Sequence, residues 1–459
     1  MTGGRSEKVE MTHKRQRTHA SPLWGALYAA LLMLTTLYSY FKMVTFPWYI
    51  VQFSYAAVIG VGVLWVFVSG EVKRIGRSVS LMLFQMLPLL LTLVWSLLIW
   101  VYHQQTITII RRGSSMLLYQ LLLMCMLIWA GVMFGEHAIE YTTWGFVAGN
   151  GMILLDVARR YGVGTTISSL ISFFVSVGAN DNSVSFALEI HDLTFAMGIL
   201  AGYYLFYGKG EHWRWLYAAL TTFFFVLGWK RIAIPGVIAM GVYRWIMAHL
   251  SPAKKRWFTY LIGVSFIVIG MGYVVLIRQG IWVELCDRFG IDLMGRDRLY
   301  SRIESYYTLH PLYAGIGHGM VSVVLQNVES KGIRGLHSDI LRSYIELGMI
   351  VFLLWMFLLF VYSYRHLEKH YSQRAAEVYM AAALFIYITY LTDNTATYYH
   401  TQLAWHILPL CAFFRDSERI ATEVERKERE EWKAKRVRSR QQKKAERHAM
   451  RQIPRSQSI

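Results

Sequence analysis

The chain has 459 residues, of which 55% are hydrophobic and 17% charged, and its mean hydropathy is +0.34. A soluble domain carries roughly a quarter charged residues, so an ordinary soluble enzyme is excluded. The net charge of +18 does not make it a nucleic-acid binder, because five Lys/Arg against two Glu fall in residues 1–19 and fifteen against eight acids in 415–459. Together these two ends hold +10 of the +18, beside apolar runs rather than in a folded reader module.

The apolar residues come in blocks of about twenty, the length of a membrane-crossing helix. The fold class expected is an all-α polytopic membrane protein with about twelve transmembrane helices. In chain order the predicted spans are residues 21–41, 48–69, 79–101, 116–135, 138–156, 192–208, 215–230, 232–249, 258–277, 340–363, 375–391 and 397–414. Residues 1–20 form a basic N-terminus, 21–414 the membrane domain and 415–459 a charged tail, read as a solvated helix or a disordered arm. The first run has no small-residue cleavage site after it and reads as a retained span. With the N-terminus inside, the cytoplasmic connections are "EVKRIGRS", "GEH", "KGEHWR", "SPAKKR", "RHLEKHYSQR" and the tail, and all but "GEH" are basic. Both termini are then cytoplasmic, and lipid headgroups are natural partners of the basic ends.

Between the fifth and sixth spans, "TTISSLISFFVSV" is apolar but short, as in a re-entrant segment. Between the ninth and tenth, residues 278–339 make a long external loop. Within it, "RDRLYSRIESYYTLHPLY" places Leu299, Ile303, Tyr306, Tyr307 and Leu309 or Leu312 near one helical face. Cys125, Cys286 and Cys411 form no CxxC pattern, so no disulfide framework or zinc site follows. No repeat period emerges.

Charges at the outer ends of spans are the informative exceptions. Arg111, Arg112, Arg159, Arg160, Arg278 and Arg288, with Arg296, Arg298, Arg302, Arg334 and Arg342, would make an outward cationic surface. Its natural complement is a lipid-linked or polymeric anion, since guanidinium grips phosphate with a two-pronged fork. Each arginine alone could simply snorkel to headgroups. Lys230 and Arg231 interrupt a continuous apolar run and are expected to face a protein-lined cavity.

The segment "GIRGLHSDILRSYIELG" carries His337, Ser338, Asp339, Arg342 and Glu346 at the mouth of the tenth span. Ser338 is a good N-cap and Asp339 a favourable first-turn acid, so a helix should start there and run on into the membrane. Its free amides would offer an anion site, with His337 beside it as a candidate proton acceptor. Arg342 and Glu346 are one turn apart and could neutralise each other, and Gly348 would permit close helix approach. A capped helix with a structural ion pair is the plain alternative, preferred for Glu346 and Gly348. Upstream, "HPLYAGIGHG" is glycine-rich, but its spacing does not fit a nucleotide loop.

The order of these features resembles the O-antigen ligase and polysaccharide polymerase superfamily, integral membrane glycosyltransferases related to the C-type class. The resembling elements are Gly295–Arg296, then His310–Pro311, then Gly315 and Gly317, then His337–Ser338 followed by Leu341, Glu346 and Gly348. Lys230–Arg231 stands where the family carries a Ser-Arg or similar pair. The resemblance implies a polyprenyl-diphosphate-linked glycan as donor and a lipid-linked acceptor at the outer face of a bacterial cytoplasmic membrane. It implies His337 as base and Arg231 and Arg296 at the diphosphate, with Arg298, Arg302 and Arg342 in reserve and Lys230, Ser338, Asp339, Glu346, Gly315 and Gly317 supporting. No metal or cofactor is expected, because there is no DxD pair and a lipid-borne donor needs no nucleotide–metal clamp. A chain-length regulator is a further expected partner. A ligase on the same fold, a flippase and a membrane scaffold are the competing readings; a flippase should show midplane charges.

Overall fold

The computed structural model describes residues 22–41, 72–175, 191–228, 230–291, 293, 295–326 and 335–451, with isolated positions between 56 and 67. Among the described residues the chain is all helical, with no strand. The helices are α1 (Pro22–Phe41), α2 (Val72–Tyr102), α3 (Ile107–Phe134), α4 (Ala138–Tyr161), α5 (Val163–Val175), α6 (His191–Phe206), α7 (Arg214–Gly228) and α8 (Ala233–His249). There follow α9 (Pro252–Arg278), α10 (Ile281–Arg288), α11 (Arg296–Ile303), α12 (Met320–Val324), α13 (Asp339–Leu347), α14 (Met349–His370), α15 (Gln373–Thr392) and α16 (Tyr399–Arg451).

Among the described residues five stretches are long and apolar enough to cross a membrane: Gln85–Tyr102, Ile107–Tyr161, Pro252–Arg278, Met349–His370 and Gln373–Thr392. The second is α3 and α4, joined by the 3-10 turn Gly135–His137 where the sequence placed the connection "GEH". The predicted 48–69 span lies largely outside the described residues. Only 33% of the apolar window of α9 is buried, and Trp257, Leu261, Val268 and Ile269 face outward. So much unpaired apolar surface fits a bilayer and not water. This is a membrane protein.

The core is centred on α6, α15 and the first part of α16. Helix α15 is buried along most of its length, and α8, α14 and α16 pack around it. Small side chains let these helices approach, as where Gly198 and Gly236 both lie against the Phe385 ring. Arg415 ties α16 to the bundle through Glu136 (2.8 Å) and Glu211. Beyond it α16 continues through Arg451 as one helix, so no break separates membrane segment from tail.

The tenth predicted span is not one helix. The helix from Asp339 stops at Gly348 (φ 76°, ψ 172°), and α14 starts anew at Met349. The cause is the strap formed by residues 310–319, which runs against the end of α13. Ile316 N–H donates to the Ile345 carbonyl (3.1 Å) and Gly317 N–H to that of Glu346 (2.9 Å). These carbonyls would otherwise be orphans of the helix end. Met349 N–H returns a bond to the Tyr313 carbonyl (3.0 Å). A Cβ on Gly348 would lie 2.2 Å from the Tyr313 carbonyl oxygen. Gly348→Ala is therefore expected to cost about 1–3 kcal/mol from overpacking and positive φ together. A thermal unfolding midpoint in detergent equal to that of the parent protein would refute this.

Helix α11 is shorter than the periodicity suggested. Leu299, Ile303 and Tyr307 are buried as expected, but Tyr306 is 41% and Leu312 77% exposed. The backbone leaves the helix at Tyr307 (φ −146°, ψ 156°), which moves Leu309 and Leu312 off that face.

Candidate functional site

One end of the bundle collects the candidate residues. The loop after α15, the start of α13, the end of α9 and the start of α11 meet there. Ser338 caps α13 as the sequence predicted, accepting from Leu341 N–H at 3.2 Å. Asp339 N–H donates to the Asp393 carbonyl (3.2 Å), and the Asp339 carboxylate accepts from Ala396 N–H (2.6 Å) and Arg342. The helix start is thus filled by the chain itself. Of the amides expected to hold an anion there, Asp339 N–H is taken by the α15–α16 loop and Leu341 N–H by the Ser338 cap. Burial pushes the Asp339 carboxyl up to about 6, against the opposing pull of Arg342.

The expected Arg342–Glu346 pair does not form either. Arg342 turns back one turn to Asp339, and Glu346 bonds to the strap. Its carboxylate accepts from Gly319 N–H (2.9 Å) and Val321 N–H (3.2 Å) and stands 3.0 Å from His318 Nδ1. In place of an ion pair with Arg342 and a close helix approach, Glu346 and Gly348 both hold the strap. Gly315 and Gly317 belong to it too, each with φ 87°, and a Cβ on Gly315 would lie 2.4 Å from the Glu346 carbonyl oxygen. Only glycine takes that conformation at that distance.

His337 has φ 48°, a left-handed backbone that non-glycine residues seldom adopt. Leu336 on one side and the cap on the other hold it there, both buried. Its side chain is 16% exposed, and Nδ1 lies 3.5 Å from the Asp393 carboxylate. Asp393 is itself positioned by Tyr398 O–H (2.8 Å) and Asn394 N–H (2.8 Å). A carboxylate beside one imidazole nitrogen favours the tautomer that leaves the other as a proton acceptor.

Arg296 opens α11 directly after Gly295, which has φ 86°. It is half-buried, and its Nε is enclosed with no hydrogen-bond partner in the protein. Tyr273 O–H, near the end of α9, donates to the Leu391 carbonyl (2.9 Å) and lies 3.4 Å from the Tyr300 hydroxyl. It thereby links α11, which Arg296 opens, to the end of α15 just before Asp393. Arg298, Arg302 and Arg231 are exposed, and no contact joins them to His337 or Asp393 among the described residues. Lys230 is half-buried in the turn between α7 and α8. Arg334 falls outside the described residues. The cationic surface is also thinner than expected, since Arg160 pairs with Asp156 (2.7 Å) and Arg278 with Glu304.

On the other side of α13 lies a polar cavity of about 80 Å³, lined by Gln85, Gln120, His318, Arg342, Glu346 and Gln402 among others. His318 Nε2, His406 Nδ1 and both polar atoms of the Gln85 amide are buried without a protein partner. Their spacing in sequence offered no sign of this convergence. Asp393 and His318 were also missed as site residues, because their partners His337 and Glu346 lie 56 and 28 residues away. A further buried pair, His400 and Asp192, meets at 2.6 Å between α16 and α6.

No protein-family model and no curated protein matches the chain.

Proposed function

We propose that the chain is a membrane glycosyltransferase that polymerises a cell-surface polysaccharide, taking glycan from a polyprenyl-diphosphate donor to a lipid-linked acceptor on the outer face of the cytoplasmic membrane. The observation that carries this reading is that His337–Asp393 and helix α11, opened by Arg296 with its Nε unpartnered, are joined through Tyr273 at one end of an apolar helical bundle. Under the charge-bias topology that end is outside. In the step proposed, an acceptor hydroxyl attacks the anomeric carbon while the bond from that carbon to the diphosphate oxygen breaks. The hydroxyl proton passes to His337, and the diphosphate leaves with the bonding electron pair. Arg296 holds the charge as it grows on the leaving phosphate, where a fixed guanidinium is most effective. Asp393 stabilises the imidazolium that forms.

The test is reconstitution of the full chain in proteoliposomes with a polyprenyl-diphosphate-linked oligosaccharide. A ladder of longer glycans with release of polyprenyl diphosphate is expected. Arg296→Ala should lower the rate by about 10²–10³, the usual cost of a lost charge-stabilising group. Arg298→Ala, on the exposed side of the same helix, should leave it near that of the parent protein.

A second reading, a carrier of lipid-linked glycans, is favoured by the buried polar cavity alone, since polar groups inside a bundle often mark a substrate path. Transfer of the labelled lipid between leaflets without any ladder would establish it in place of the enzyme.

A further inference from the structure

The far end of α14 holds a second constellation, unconnected with the candidate site. Between Leu358 and Tyr362 this helix takes a π turn, and the Ser363 hydroxyl donates to the Leu358 carbonyl at 2.7 Å. The wider turn lies against α9, where Gly263 admits the Phe360 carbonyl; a Cβ there would be 2.6 Å from that oxygen. A groove of about 300 Å³ opens beside it. Its lining is graded. Phe357 and Val361 form the part nearest the middle of the bundle, and Tyr362 follows, with Tyr260 of α9 level with Tyr364. Arg365, His366, Lys369 and His370 line the end.

The length of this gradient is informative. From Phe357 to Lys369 is twelve residues along a helix, about 18 Å at 1.5 Å each. One leaflet contributes about half of a 30 Å hydrocarbon core. The groove therefore runs from acyl-chain depth to headgroup depth. Its charged end lacks a counter-ion: Arg365, Lys369 and His370 are exposed and pair with no carboxylate among the described residues. Glu368, on the same turn, is engaged by Arg256 at 3.0 Å. The His366 and His370 rings stack at 4.5 Å beside these side chains.

We propose that this groove binds one anionic phospholipid, its phosphodiester at Arg365, Lys369 and His370 and its acyl chains along Phe357 and Val361, with Tyr260 between the two. The site lies in the leaflet opposite the candidate active site. A free phosphate would use the cations but not the apolar half, and unspecific attraction by a basic surface would not depend on which lysines or arginines are present.

The experiment uses the full chain, purified and exchanged into mixed phosphatidylcholine and phosphatidylglycerol, with retained lipid counted by native mass spectrometry. One phosphatidylglycerol per chain should be kept in preference to phosphatidylcholine. The double variant Arg365→Gln/Lys369→Gln should lose this preference by about tenfold, while Arg365→Lys/Lys369→Arg keeps it and shows that the groove still folds. Lys209→Gln/Lys254→Gln, which removes two exposed lysines outside the groove, should leave it unchanged. Equal losses in the two glutamine doubles would overturn the proposal in favour of a general charge effect. Displacement of the lipid by millimolar inorganic phosphate, with no phosphatidylglycerol preference, would overturn it in favour of a free-anion site.

Discussion

Cells carrying His337→Ala are expected to lose long surface glycan, with the rate of chain extension down by at least about 10²-fold. That is the lower end of what a positioned general base contributes. Single repeat units should still be built and exported, because nothing upstream depends on this side chain. The imidazole is held at φ 48° and 16% exposed, so the mutation removes a group poised at the surface of the bundle and leaves no large cavity. Expression and membrane insertion should therefore match the parent protein, and both are measured alongside. Asp393→Asn should give a smaller loss, and a shifted pH–rate profile would mark it as positioning the base. Long lipid-linked chains that accumulate unattached would point to ligation as the physiological reaction. Unchanged glycan would remove His337 from the chemistry and leave it as a residue preceding a helix cap.

Glu346→Ala is expected to destabilise the membrane domain by about 3–5 kcal/mol, since several buried donors lose their acceptor at about 1–3 kcal/mol each. Its carboxylate is 1% exposed and serves Gly319 N–H, Val321 N–H and His318 at once. Removing it orphans two amides and an imidazole in the interior of the protein. Glu346→Gln keeps an acceptor and loses the charge, and should cost about 1–3 kcal/mol. The measurement is the thermal unfolding midpoint of the full chain in detergent. The order Ala below Gln below parent is expected; a midpoint for Glu346→Ala equal to the parent's would show that the strap is held by its backbone bonds alone.

The strap also explains why the segment around His337 was only partly legible. Hydropathy runs unbroken from Leu347 through Phe360, and the one glycine in it, Gly348, reads equally well as a close-packing residue within a helix. The break is imposed by residues 313–317, which arrive from the preceding loop and take the α13 carbonyls. Likewise, Arg342 and Glu346 have the spacing of an ion pair, yet each has a better-placed partner. Asp339 lies one turn back for Arg342, and for Glu346 the strap supplies two aligned amides and His318. Local spacing shows which groups can meet; it does not rank them against groups brought from elsewhere in the chain.

By itself the sequence determined what depends on local chemistry. It determined a membrane-embedded, all-helical chain, because apolar length and composition leave no other way to satisfy the backbone in lipid. It determined the helix start at Ser338 and Asp339, because a cap acts within three residues. The Gly135–His137 connection and the beginnings and ends of α6, α7, α8 and α15 also followed within a few residues from where apolar runs stop. Only the tertiary structure decided the pairing of His337 with Asp393 and of Glu346 with His318, and the link through Tyr273 from α11 to the end of α15. It alone filled the helix start that looked open to anions, and left Arg298 and Arg302 at the surface. Those outcomes are set by which helix ends pack together, and periodicity along one chain segment carries no information about a neighbour in space.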